Sequence, residues 1–225
     1  MKTVIGLGGA GCKIAEKFSD REGYKVYKID VGIKGTRCFS FPKIASMEEA
    51  EESVPRLKTF FRGITKNVVF IMAGSGKISG AALAILEQIK DKNIEVLYVQ
   101  PDTDTLNGIS RTGENIVRQV LQNMARSGIF RKLYLFNNQK IHEILEEVPL
   151  LKLNDSINEV IARSYDLCNF YEKEDSVFEQ NGEVDDISRI STLGFISFND
   201  NESKMCFDLH LSLIHISEPT RQAEI

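Results

Sequence analysis

The chain has 225 residues, which is enough for one large domain or for one domain with an appendage. Its composition, 42% hydrophobic and 27% charged, is sufficient to build a core and excludes a wholly disordered protein. A net charge of −4 without a Lys/Arg block argues against nucleic acid as the main partner. No apolar run reaches the roughly 18 residues that a membrane span needs.

The cysteines are four in number and far apart, with no CxxC pair. This spacing predicts neither a zinc site nor a disulfide framework, and we expect no protein-bound metal. The first residues have the pattern of a strand and not of a signal peptide. Together these features predict a cytoplasmic protein with reduced thiols.

The last 15 residues, 211–225, differ from the rest of the chain. They resemble the in-frame translation of a transposon-type sequencing-library adapter followed by a short index, and the alternative is a natural amphipathic tail. We exclude them from the fold prediction, which leaves 210 residues. We therefore expect the gene to continue beyond His210.

Strand-like segments alternate with helical patterns in the first two thirds of the chain. Apolar, β-branched or aromatic runs predict strands at residues 3–7, 24–30, 68–72, 96–99 and 133–136. Helical spacing predicts helices at residues 11–19, 47–63, 79–92 and 115–127, with Pro55 starting a fresh turn in the second of them. The alternation predicts an α/β fold with a doubly wound, mainly parallel, Rossmann-like sheet.

A long helix is predicted after these units. Asp155 or Ser156 is its expected cap, and Ser156 with Glu159 has the spacing of a capping box. An acidic loop follows, and then two strand-like segments, residues 194–198 and 204–208, flank a turn. These segments predict the beginning of a second, α+β unit.

The first glycine-rich segment lies between a predicted strand and a predicted helix. Residues 6–11 fit GxGxxG, so backbone N–H groups at a helix N-terminus can approach a phosphate. Asp30 ends the second predicted strand, where it can hold a ribose hydroxyl as in dinucleotide enzymes. The alternative for Asp30 is a solvated carboxylate at a strand end.

A second glycine-rich segment, residues 73–80, also lies between a strand and a helix. Two such loops predict a nucleotide di- or triphosphate gripped by two helix N-termini at the carboxyl edge of the sheet. Lys77 is not a Walker lysine, because GxxxxGK[ST] is not satisfied. The alternative is a plain glycine turn.

The order of these pieces resembles the tubulin/FtsZ family. Residues 8–14 resemble its first phosphate loop, and residues 68–85 resemble its signature strand, glycine loop and helix, shortened and carrying Lys77 and Ile78. Residues 101–111 are similar to the loop after the next strand, and residues 136–141 resemble the strand-end Pro-Asn-x-x-Leu segment.

The resemblance implies a GTP/GDP site with nucleotide-bound Mg²⁺. Asn107 and Arg111 fall at ribose-contacting positions, and Asn158 matches a guanine-reading asparagine in the first turn of the central helix. The alternative for Arg111 is that it only packs over the start of a helix. The alternative for Asn158 is a polar residue of the first turn that faces solvent. The implied nucleotide-binding residues are Gly8, Gly9, Ala10, Gly11, Cys12, Gly74, Ser75, Gly76, Lys77, Ser79, Gly80, Asn107, Arg111 and Asn158.

The resemblance also implies how GTP is hydrolysed. In the family, the next subunit of a filament supplies loop carboxylates that position water and Mg²⁺. Asp185 and Asp186 fall at that loop and are the candidate catalytic residues, although their spacing is shorter than Asp-x-x-Asp. Ordinary surface charge is the alternative. The family's further glycine-rich loop is replaced here by residues 32–36 and a helical stretch.

The leading hypothesis is a tubulin/FtsZ-like GTPase that polymerises head to tail, and such a compact member fits a virus or plasmid as well as a chromosome. The alternatives are a non-catalytic nucleotide-binding member and an NAD-dependent oxidoreductase built on residues 6–11 and Asp30. The expected organisation is a nucleotide-binding domain at 1–155, a central helix at 156–173, a catalytic-type loop with the start of a second domain at 174–210, and the foreign tail at 211–225.

Overall fold

The computed structural model describes residues 1–145, 148–171, 189–196 and 203–209. The candidate catalytic residues Asp185 and Asp186 lie outside the described residues, as does the tail at 211–225. Within the described ranges, no helix combines the length and the hydrophobicity needed to cross a bilayer.

Strands and helices alternate along the described chain. The strands are β1 (Lys2–Leu7), β2 (Tyr24–Val31), β3 (Cys38–Phe41), β4 (Asn67–Ala73), β5 (Asn93–Gln100), β6 (Lys132–Asn137), β7 (Ile190–Ser191), β8 (Gly194–Ile196) and β9 (Ser203–Met205). The α-helices are α1 (Gly8–Glu16), α2 (Met47–Glu52), α3 (Ala81–Gln88), α4 (Gly108–Arg126), α5 (Asn138–Leu145) and α6 (Leu150–Tyr171). Short 3₁₀ helices occupy Phe60–Gly63, Lys77–Gly80 and Thr103–Thr105.

A seven-stranded sheet organises the molecule, in the order β3-β2-β1-β4-β5-β6-β7. Every neighbouring pair in it is parallel, and β8 and β9 form a separate antiparallel pair. The direction of strand progression reverses between β1 and β4, which is the switch point of a doubly wound sheet. The predicted α/β fold and its five predicted strands are confirmed.

Helices cover both faces of the sheet, which explains the uninterrupted apolar strands. Along β4, Val69 and Ile71 face the cluster built with α1, α5 and α6, whereas Phe70 and Met72 face the cluster built with α3 and α4. Because successive strand residues point to opposite faces, a strand covered on both sides is apolar at nearly every position.

The edge strand β3 was not predicted. It pairs in parallel with β2, Ile29 opposite Phe39, and the Phe39 ring packs against Phe60 of the neighbouring 3₁₀ helix. The ring centroids of Phe39 and Phe60 are 5.7 Å apart, and those of Tyr27 and Phe60 are 5.4 Å apart. These edge and tilted contacts hold β3 on the sheet.

Several helix boundaries differ from the predictions. α1 begins at Gly8, three residues earlier than expected, and α2 ends at Glu52, so Pro55 lies in a non-helical segment. The next turn is the 3₁₀ helix that starts at Phe60. α4 begins at Gly108, seven residues earlier than expected, and it buries Val117 and Leu121 while Ile116 is 56% exposed.

The predicted capping box of the long helix is wrong. α6 begins at Leu150, so Ser156 and Glu159 lie inside the helix. The Glu159 carboxylate instead accepts hydrogen bonds from Arg21 at 3.1 Å and from Arg163 at 2.6 Å. Glu159 thus helps to hold α6 against the segment that follows α1.

A buried ion pair joins α6 to the amino ends of the strands. Lys2 Nζ lies 3.1 Å from Glu95 Oε2 and donates to Tyr165 Oη at 2.9 Å, and the Tyr165 hydroxyl donates to Glu95. Lys2 and Glu95 are each 6% exposed. Both charges are therefore removed from water, and each depends on the other groups for its stability.

We predict that Lys2→Met lowers the free energy of unfolding by about 3 kcal/mol, because the Glu95 carboxylate is left buried with only a neutral partner. Urea titration measures the change. Lys90→Met is the matched control, since Lys90 pairs with Glu87 on the surface, and its effect should stay within about 0.5 kcal/mol. Equal effects of the two substitutions would contradict the prediction.

Candidate functional site

Both glycine-rich segments lie together at the carboxyl edge of the sheet. The first glycine loop, residues 6–11, spans the end of β1 and the start of α1, and the second, residues 73–80, starts at the end of the adjacent β4. A Cβ atom added to Gly8 would lie 2.8 Å from Ile78 Cγ2, so the two loops touch, and Gly8 has a φ of +72° that favours glycine. Ligands of doubly wound sheets bind at this switch point.

A cleft of about 400 Å³ opens between the two loops and the ends of the neighbouring strands. Its walls combine backbone and apolar surface with three charged side chains. The lining residues are Gly9, Asp30, Val31, Lys43, Ile44, Gly76, Lys77 and Ile78.

The first turn of α1 faces this region without a side-chain cap. Its N-cap is Leu7, whose side chain forms no capping hydrogen bond, so N–H groups of the first turn lack that acceptor. Gly9 is exposed, and a Cβ atom added to it would have Asp30 Oδ2, 3.8 Å away, as its nearest neighbour. The backbone at Gly9 is thus accessible from the cleft, where the positive end of the helix favours an anion.

Asp30 is the penultimate residue of β2, close to the predicted strand end. Its Oδ1 accepts a hydrogen bond from the Val31 backbone N–H at 2.8 Å, and the residue lines the cleft. It is the one acidic residue among the cleft's described lining residues. The described chain contains no cluster of His, Cys, Asp or Glu residues arranged to bind a metal by itself.

The second glycine loop divides into an exposed tip and a buried base. Ser75, Gly76 and Lys77 are exposed, and the last two line the cleft. Ser79 is 3% exposed and donates its hydroxyl to the Ala73 carbonyl at 2.7 Å, which closes the loop on itself. Ser79 therefore shapes the loop, and its hydroxyl is already used.

Gly80 has a packing role as well. A Cβ atom added to it would lie 2.0 Å from the Met47 carbonyl oxygen, so the start of α3 packs directly against the start of α2. The match of Gly80 to a phosphate-loop motif is accounted for by this contact.

The predicted ligand residue Cys12 points away from the cleft. Its thiol lies 3.3 Å from the Gly6 carbonyl oxygen and 3.6 Å from that of Ile29. Burial raises the pKa of the Cys12 thiol to about 12. The thiol is therefore protonated and faces the strands, and only the backbone of Cys12 can face a ligand.

The remaining predicted contacts lie outside the cleft lining. Asn107 caps α4, its side-chain oxygen accepting from the Ser110 N–H at 2.9 Å, and Arg111 Nη2 is 3.6 Å from Asp104 Oδ1. Asn158 was placed in the first turn of the central helix, but it lies in the third turn of α6, where it is half-buried.

Lys43 and Ile44 were missed by the sequence analysis. They follow β3 and form one wall of the cleft. The alternation of aromatic residues at Phe39 and Phe41 is typical of a strand. A parallel strand at these positions predicts that Lys43 and Ile44 lie at the same carboxyl edge of the sheet as the glycine loops.

A buried polar group lies under the second loop. Tyr98 Oη donates to Glu114 Oε1 at 2.8 Å, and Arg118 Nε donates to the same oxygen at 2.9 Å. Glu114 is 0% exposed, and its Oε2 has no hydrogen-bond partner among the described residues. Burial, reinforced by the negative charge of Glu114, raises the pKa of Tyr98 above its ordinary value. A Cβ atom on Gly74 would lie 1.9 Å from Tyr98 Oη, so only glycine fits above this pair.

Two substitutions in the second loop should therefore behave differently. Gly74→Ala should lower the free energy of unfolding by about 2 kcal/mol, because the new methyl group overlaps Tyr98. Gly76→Ala should change it by less than about 0.5 kcal/mol, since the nearest atom to its Cβ is Ser79 Oγ at 3.6 Å. Chemical denaturation of both variants measures the difference, and similar losses would show that Gly74 is not constrained in this way.

Similarity to known proteins is found at the level of structure and not of sequence. No protein-family model and no curated protein matches the sequence. Among solved structures, an empty FtsZ dimer from M. jannaschii superposes with a TM-score of 0.59 at 18% identity, covering 78% of this chain and 56% of that one. A second M. jannaschii FtsZ structure gives 0.60 at 18% identity, covering 79% and 58%.

A further match is a GTPγS-form protofilament of Bacillus thuringiensis serovar israelensis TubZ, with a TM-score of 0.62 at 13% identity, covering 80% of this chain and 58% of that one. The chain thus spans little more than half the length of the structures that it matches. Its seven-stranded parallel sheet with flanking helices corresponds to their Rossmann-like domain. The chain has a tubulin/FtsZ-like fold, as its sequence predicted.

Proposed function

We propose that this protein binds GTP and GDP in the cleft, assembles head to tail into filaments and hydrolyses GTP where two subunits meet. The observation that carries the proposal is the cleft itself, which lies between two touching glycine loops at the switch point of a tubulin/FtsZ-like sheet. This is where a doubly wound sheet offers both a helix N-terminus and open backbone to a ligand.

The phosphates are bound by the backbone around Gly9 and by the tip of the second loop. Backbone N–H groups of the uncapped first turn of α1 donate to the phosphates, and Gly76 lets the second loop approach closely. A side chain at Gly9 would project into this space. At the first loop, the chemistry is therefore that of an anion held by neutral backbone donors and a helix dipole.

Magnesium fits this site only together with the nucleotide. Mg²⁺ prefers oxygen ligands and commonly uses one or two carboxylates with the substrate phosphates. Asp30 provides a single carboxylate in the cleft, so phosphate oxygens and water must provide the rest. The ion would supply charge neutralisation of the phosphate chain.

The base is read by Asn158 and the ribose is contacted by Asn107 and Arg111. In favour of Asn158, it shares a helix face with Ala162 and Tyr165, at spacings of four and seven residues, and both of these are buried. Tyr165 reaches Lys2 at the amino end of β1, so residues two turns earlier in α6 lie nearer the carboxyl edge. An asparagine there can both donate to and accept from a purine.

Self-association completes the catalytic site in this proposal. Asp185 and Asp186 of one subunit act on the nucleotide of the next by positioning the attacking water, with no covalent intermediate. A head-to-tail contact of this kind is heterologous and produces open filaments. The TubZ structure described as a protofilament supports this arrangement.

Nucleotide binding is the first test. We expect the purified chain to bind GTP and GDP more tightly than ATP or NAD, measured by calorimetry. Gly9→Ala should weaken both guanine nucleotides by at least about tenfold, equivalent to roughly 1.4 kcal/mol. The variant should unfold at an unchanged or higher denaturant concentration, because alanine is the better helix former.

NAD is included because Asp30 lies at the carboxyl end of β2, where a dinucleotide enzyme holds its ribose. Binding of NAD without GTP would replace this proposal with an oxidoreductase. Binding of GTP that is insensitive to Gly9→Ala would move the site away from the cleft.

Turnover is the second test, made on the product of the full reading frame. The double variant Asp185→Ala, Asp186→Ala should release phosphate at least about a hundredfold more slowly, which is at the lower end of what a water-positioning group contributes. Its GTP affinity should stay within about twofold of the parent. Sedimentation with GTP reports filament formation. Unchanged phosphate release in the double variant would remove the catalytic assignment, and GTP binding without release in the parent would favour a non-catalytic protein.

A further inference from the structure

Two lysines line the candidate cleft without a carboxylate partner among the described residues. Lys43, from the segment after β3, and Lys77, from the tip of the second glycine loop, both line it and are both exposed. Neither ammonium group forms an ion pair within the described part of the chain. Asp30 is the acidic residue among the described lining residues, so the side chains of the cleft carry a surplus of positive charge.

The glycines between β2 and β3 do not contribute to the cleft. Gly32 and Gly35 have φ values of +69° and +138° and form the turn that leads into β3. The nearest atom to a Cβ on Gly35 is the Cys38 sulfur at 3.3 Å, and neither glycine lines the cleft. The wall on this side is built by Lys43 and Ile44 instead. On this side of the cleft, the charged group is therefore the ammonium group of Lys43, and neither glycine contributes to the lining.

The strand order indicates which part of a nucleotide meets this wall. The glycine loops follow β1 and β4, Arg111 lies beyond β5 on one side, and Lys43 lies beyond β2 and β3 on the other. A nucleotide with its ribose toward Arg111 and its phosphates at the glycine loops therefore extends its last phosphate toward Lys43. Lys77 lies on the second loop beside that path.

We propose that Lys43 and Lys77 bind the terminal phosphate of the nucleotide and make the cleft prefer a nucleoside triphosphate to the corresponding diphosphate. This inference rests on the proposed function. A lysine ammonium acts on phosphate as a compact point charge with three donors, so its attraction grows with the charge of the phosphate chain. Losing the terminal phosphate removes negative charge and the contacts to it, and affinity falls.

The test compares GTP and GDP affinities of the parent chain with those of Lys43→Ala, Lys77→Ala and the double variant. We expect each single substitution to weaken GTP binding about tenfold, as for the loss of one charge-assisted contact, and to change GDP binding less than about twofold. Affinities of the parent should also fall more steeply with salt for GTP than for GDP, and the double variant should lose that difference. Lys34→Ala is the matched control, because Lys34 is exposed on the same side but does not line the cleft.

The outcomes separate this inference from the function on which it rests. If the parent binds neither GTP nor GDP, the proposed function fails and the inference fails with it. If the parent binds both and the double variant keeps the GTP-to-GDP affinity ratio, only the inference is overturned. Equal losses for GTP and GDP, or a loss of the same size in Lys34→Ala, also overturn it. Unfolding midpoints equal to that of the parent show that the variants are folded.

Discussion

The structure depends on how closely α1 approaches the sheet. A Cβ atom on Gly11 would lie 2.5 Å from the carbonyl oxygen of Ile71 in β4, and one on Gly6 would lie 2.5 Å from the carbonyl oxygen of Gly11. Glycine at these two positions lets the helix lie directly on β1 and β4. Its first turn then meets the loop that follows β4, and the cleft forms between them. A single packing distance thus creates the candidate site.

Glycines of the two loops therefore serve different purposes, although the motif treats them alike. Gly74 and Gly80 have no room for a side chain because Tyr98 and the Met47 backbone lie against them. Gly9 and Gly76 have room, and both line the cleft. Packing alone accounts for the first pair, whereas for the second pair packing gives no reason for glycine and ligand access does.

The central strands of the sheet could be predicted because buried parallel strands are apolar at nearly every position. This pattern does not detect β3, because β3 is short and half-exposed at the edge of the sheet. The position of Lys43, which follows β3, was therefore not predicted either. The start of α6 was misplaced for a related reason: Leu151 is 100% exposed, so the buried stripe begins only at Ile157. The spacing of Ser156 and Glu159 then suggested a capping box, although the partner of Glu159, Arg21, is 138 residues away in sequence. Contacts of that range have no local signal.

The predicted base contact depends on α6, which is fixed in two different ways. Tyr165 is 1% exposed and belongs to the buried group with Lys2 and Glu95, so this part of the helix is held by contacts that salt screens little. Asp155 and Glu159, on either side of Asn158, pair with Lys17 at 2.6 Å and 3.7 Å, with the Asp155 side chain 73% exposed. The pair formed by the exposed Asp155 is weak and screened by salt, whereas Glu159 is also held by Arg21 at 3.1 Å. Asn158 therefore lies on a helix whose rotation is set by buried Ile157 and Ile161 and by the ion pair between Glu159 and Arg21. The residue that is proposed to read the base therefore lies on a part of α6 that buried side chains and the Glu159–Arg21 pair hold in place.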